Sequence, residues 1–94
     1  MSTQSETGAK MKRDITSIIM ILATQCMINL GEIQDPIFKK VKQDLDGAKL
    51  FIDLLEVLED KTRGNLDEEE DKFMQGILVN LKNIYEKNVS GKVT

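Results

Sequence analysis

The sequence contains no histidine, no tryptophan, one cysteine and one proline. Each scarcity removes a class of chemistry. Without histidine the chain lacks the commonest general base and the commonest metal ligand near neutral pH, and the remaining residues supply no nucleophile paired with a base. No catalytic residue, no cofactor and no metal is therefore expected. The single cysteine, Cys26, excludes an intramolecular disulfide and suits a reducing compartment, the cytoplasm. With one Tyr and three Phe among 94 residues, the core must be filled by Ile, Leu, Val and Met, as in helical bundles. Basic residues are also in deficit, 13 against 16 acidic ones, giving a net charge of -3. That balance disfavours nucleic acid and anionic membranes as partners chosen by bulk electrostatics. No secretory pattern opens the chain, and the polar stretch over residues 1–9 reads as a disordered tail.

What is present is helical periodicity. The run "MKRDITSIIMILATQCMINL", residues 11–30, is followed by Gly31, a natural helix-stopping residue. Its middle, Ile18 to Ala23, is apolar on every side, so this helix is expected to lie deep in the centre of a bundle, with Arg13 and Asp14 in its first turns. A membrane span would need about 20 predominantly apolar residues, and the polar Thr16, Ser17, Thr24, Gln25 and Asn29 argue against one. A second helix is expected over 45–63, from an N-cap at Asp44 to Gly64. Its polar positions Lys49, Asp53, Glu56, Asp60 and Arg63 form one narrow side, and its apolar positions cover an arc of roughly 220°. The third, over 67–88, opens with either Asn65 and Glu68 or Asp67 and Glu70 as a capping box. Phe73, Met74, Ile77, Leu78, Leu81, Ile84 and Tyr85 supply its buried stripe. Between the first two helices, "GEIQDPIFKKVKQ" reads as an irregular connection with at most one helical turn. The expectation is an all-α fold: a small three-helix bundle, a single domain over 10–89 with a second tail over 90–94, associating into a helical oligomer.

Two motif-like stretches dissolve on inspection. "EDKTRGNLDEEE" has the glycine and the final glutamate of an EF-hand loop, but Lys61 and Arg63 stand where oxygen ligands belong, which excludes calcium. The same segment with its flanking helices has the outline of a helix-turn-helix, yet the helix that would read DNA opens with five acids, Asp67 to Asp71, which repel a polyanion. Cys26, in an apolar run with no histidine to activate it, reads as an inert buried thiol.

The runs "LATQCMINLGEI", "DLDGAKLFIDLLEVLEDKTRGNL" and "EEEDKFMQGILVNLKNIY" resemble a small bacterial family catalogued as a domain of unknown function. The most specific parts are "LGEI", "IDLLE.L..KT.GNL" and the acidic opening of the third helix. The resemblance implies a mostly helical cytoplasmic domain with no catalytic or ligand residues to transfer. In that family a polar Thr-Gly turn often follows the proline and a His can occupy the place of Asn29. Here Ile37 and Phe38 follow Pro36, which makes the connection more helical or more adhesive.

An excess of apolar positions remains after three helices are assembled. The expected function is accordingly a non-catalytic interaction module that binds itself or another protein, through an interface of Met20, Met27, Leu50, Leu54 and Val57. The alternative is a peripheral membrane or apolar-ligand-binding protein using the methionines of the first helix.

Overall fold

A computed structural model describes residues 14–93 and contains three helices: α1, Ile15–Leu30; α2, Leu45–Lys61; and α3, Glu68–Val93. Each packs against the other two. The core repeats one spacing three times. Ile19, Ala23, Cys26 and Leu30 face inward from α1, Ala48, Ile52 and Leu55 from α2, and Met74, Leu78 and Leu81 from α3. Steps of four and three residues keep a side chain on one face of a 3.6-residue helix, so each helix contributes a single stripe. Cross-helix contacts set the directions. Cys26 Sγ lies 3.4 Å from the Ala48 carbonyl and the Asp44 amide donates to the Asn29 carbonyl at 2.7 Å, so α1 and α2 are antiparallel. Glu59 meets Gln75 and Glu56 meets Lys82, so α2 and α3 are antiparallel as well. The bundle runs up, down, up.

The caps follow from local chemistry. Asp14 is extended (φ -146°) and its carboxylate accepts from the amides of Thr16 and Ser17, at 3.1 and 3.3 Å. The helix thus begins at Ile15 rather than at residue 11, because an aspartate is worth more satisfying orphan amides than as a first-turn helical residue. Residues 1–9, read as a tail, lie outside the described residues. At the other end of α1, Gly31 takes φ 86°, and the amides of Gly31 and Glu32 close onto the carbonyls of Ile28 and Met27, both at 3.0 Å. That reciprocal closure needs a left-handed residue, which glycine adopts without strain. Asp44 caps α2 through the Gly47 amide at 3.0 Å. Asp67, not Asn65, opens α3: its carboxylate accepts from the Glu70 amide at 2.8 Å while Glu70 accepts from the Asp67 amide at 2.9 Å. The third helix continues through residue 93, past the expected end at 88, so residues 90–93 are not a tail.

A further expectation is overturned. α1 is not a central helix surrounded on all sides: Ile18, Met20 and Ile21 are about half exposed, at 47%, 43% and 57%. Three helices in a bundle give each only two neighbours, so a helix apolar all round must leave part of its circumference uncovered. No described helix is long and apolar enough to cross a membrane.

Candidate interaction surface

The residues named from sequence divide. Leu50, Leu54 and Val57 are exposed on α2, at 53%, 40% and 53%. Met20 is exposed on α1, but Met27 is half-buried and packs against the core cluster. The methionine pair is therefore split: Met27 is half-buried against the core cluster, whereas Met20 is exposed.

Register shows which apolar residues belong together. On α2, the ion pair of Glu56 with Lys82 marks the side facing α3. Leu50, Leu54 and Val57 lie roughly 100–160° around the helix from Glu56, on the flank away from α3. On α1, the Asn29 amide is close to Gly47 of α2, and Ile18, three turns earlier in the same row, shares that flank with Ile21. The antiparallel register defined by Cys26 opposite Ala48 and Asn29 opposite Gly47 sets Ile21 at the level of Leu54 and Ile18 at the level of Val57. The outcome is one apolar face shared by the α1–α2 hairpin. Ile18 and Ile21 were not singled out from the sequence, because in an all-apolar stretch periodicity alone does not say which side a neighbour will cover.

Several polar groups elsewhere are committed to structure. A cleft of about 480 Å³ opens where α2 turns into α3, among Thr62, Arg63, Leu66 and Asp67. Its groups do not converge on a ligand: the Thr62 hydroxyl donates to the Leu58 carbonyl at 2.8 Å, Arg63 pairs with Asp60 at 3.1 Å, and Asp67 is the α3 cap. The former calcium-like stretch is thus a helix end, a turn and a helix start. On the α2 polar side, Lys49 pairs with Asp53 at 3.0 Å, and that hydrogen bond holds the ammonium above its usual range. Cys26 is fully buried, and loss of water around its sulfur pushes the thiol up to about 11. A thiol held neutral at physiological pH is a poor nucleophile.

Residues 12–87 match the family described as a domain of unknown function, DUF1844. The chain belongs to this family. No curated protein and no solved structure matches it. The structure also explains the stretches that carried the resemblance. In "LGEI", Leu30 is core and Gly31 closes α1; in "IDLLE.L..KT.GNL", Ile52 and Leu55 are core, Thr62 caps α2, and Gly64 takes φ 86° in the turn. These family-like positions hold the bundle and its turns together, and one of them, Leu54, also lies on the exposed face.

Proposed function

We propose that this chain is a non-catalytic helical interaction module that pairs with a second copy through the outer face of the α1–α2 hairpin. The observation that carries the reading is the contiguous exposure of Ile18, Ile21, Leu50, Leu54 and Val57 on one side of two packed helices. Isolated exposed aliphatics are common on protein surfaces, whereas a grouped set normally meets a partner. The absence of histidine and the assignment of Asp14, Asp44, Asp67 and Glu70 to caps support a role without catalysis. A lone cysteine kept as a buried thiol is in keeping with the cytoplasm.

The size of the face sets the expected strength. Five side chains, each about half exposed, contribute roughly 1 kcal/mol apiece on being covered, hence on the order of 10 kcal/mol for two copies. Against the cost of association, about 4–15 kcal/mol, this leaves at most about 6 kcal/mol, so the dimer is weak, with Kd no tighter than about tens of micromolar. Light scattering across a dilution series reads it directly. The wild-type mass is expected to rise toward twice the chain mass as concentration increases. Leu54→Lys should hold the protein monomeric, while Val79→Lys, at a 58% exposed residue of α3 away from the hairpin face, leaves association intact. A wild type that stays monomeric to millimolar concentration, or a Leu54→Lys protein that still dimerises, would defeat the proposal.

A further inference from the structure

The connection between α1 and α2 is a built turn rather than a slack linker. The Asp35 amide donates to the Lys40 carbonyl at 3.0 Å, and the Lys39 amide donates back to the Asp35 carbonyl at 2.8 Å. Inside the turn, the Asp35 carboxylate accepts from the amides of Ile37 and Phe38, at 2.8 and 3.2 Å. Gln34 Nε2 adds a bond to the Lys39 carbonyl at 2.6 Å, and Lys39 takes the left-handed φ of 52° that lets the chain reverse. The Gln34 amide and the Asp35 carboxylate are thus spent within the turn. Its apolar side chains face out: Ile37 is 78% exposed, Phe38 64% and Val41 62%. In a chain with so few aromatics, a phenylalanine held in water at the tip of a hydrogen-bonded turn is a costly placement that serves neither core nor turn.

We propose that this turn is a membrane-docking finger, which inserts Ile37 and Phe38 between the headgroups of an anionic lipid bilayer while Lys39, Lys40 and Lys42 bind the lipid phosphates. Charge and shape favour this occupant. The segment 36–42, "PIFKKVK", carries three lysines and no acid, although the chain as a whole is at -3. Net charge is the wrong guide because the charges are separated in space. The five acids from Asp67 to Asp71 open α3 beside the far end of α2, a 17-residue helix. At 1.5 Å per residue that is about 25 Å away, roughly three Debye lengths in physiological salt, so a membrane touching the finger scarcely feels them. Acidic charges also lie nearer the tip: Glu32 and Asp46 come before and after the segment, Asp35 accepts from the Ile37 and Phe38 amides within the turn, and Asp44 caps α2, while the three lysines follow directly on the apolar pair. The tip is convex. A fluid lipid surface accepts any convex apolar tip beside basic residues, whereas a protein partner must supply a groove cut to it.

The absence of tryptophan makes Phe38→Trp a clean reporter. The full-length F38W chain is titrated with vesicles of phosphatidylcholine alone and with an equal mixture of phosphatidylcholine and phosphatidylglycerol, reading emission and co-sedimentation. The expected result is a blue shift and pelleting with the mixed vesicles only, both reversed by high salt. In the wild-type background, reversing Lys40 or Lys42 to Glu should weaken sedimentation by about fivefold or more each, and Phe38→Asp should abolish it. Val79→Asp should have no effect, and circular dichroism confirms that each variant folds. Failure to pellet with the mixed vesicles at low salt overturns the proposal, as does equal binding to neutral lipid. A blue shift that grows with protein concentration and needs no vesicles assigns the tip to a protein contact and overturns it too.

Discussion

Two glycines inside helices offer a sharp test of the packing described above. Replacing a helical glycine by alanine ordinarily stabilises by about 1 kcal/mol, because the glycine backbone loses more freedom on folding. At Gly76 a new Cβ meets nothing within 4 Å, so the full gain is expected, a rise in Tm of about 4–8 °C for a chain of this size. At Gly47 the same atom would lie 2.7 Å from Asp44 Oδ2 and 2.8 Å from Asn29 Nδ2. Contacts that close force both side chains to move. The Asp44 carboxylate is the α2 cap, worth about 1 kcal/mol, and Asn29 lies at the junction where the chain leaves α1. Gly47→Ala should therefore cancel its propensity gain and end between neutral and about 1 kcal/mol destabilising. Urea unfolding followed by far-ultraviolet circular dichroism, with unchanged slope, compares the midpoints. An Asp44→Ala background supplies the internal check: with the cap already gone, Gly47→Ala should become more favourable than in the wild type, a coupling visible in the double-mutant cycle. If Gly47→Ala stabilises as much as Gly76→Ala, the tight α1–α2 junction is wrong.

Other outcomes follow from the same structure. Covering the 40% of Leu54 that is exposed is worth about 1 kcal/mol per copy, so even Leu54→Ala should weaken self-association by about 30-fold across a two-fold pair, while a mass profile unchanged from wild type would argue that this residue is not in the interface. Asp67→Ala removes the carboxylate half of the α3 capping box and should cost about 1 kcal/mol by urea unfolding; a shift indistinguishable from zero would show that the box contributes nothing. Cys26 gives a pH signature: its folded thiol titrates near 11 against 9.0 for the free group, so the folded state binds the extra proton between those values. Stability is complete below pH 9 and falls as pH rises toward 11, by about 2–3 kcal/mol. Cys26→Ala should show a correspondingly shallower decline over that window, and equal slopes would refute the assignment.

Most of the architecture was legible in residue order. The Gly31 stop and the Asp44 cap rest on interactions within a few residues, which sequence specifies directly, whereas the α3 box was narrowed only to Asn65–Glu68 or Asp67–Glu70. The absences were equally informative, since no packing can supply a missing histidine. Tertiary structure decided what depends on neighbours. It made α1 a peripheral helix with Ile18 and Ile21 exposed, turned Met27 inward, and joined Ile18 and Ile21 to Leu54 and Val57 in one face. An apolar stretch has no preferred side until another helix covers one. It also turned a net charge of -3 into a molecule with acids gathered at the start of α3 and lysines around an apolar tip. A sum of charges contains no distances, and screening in water makes distance the quantity that matters.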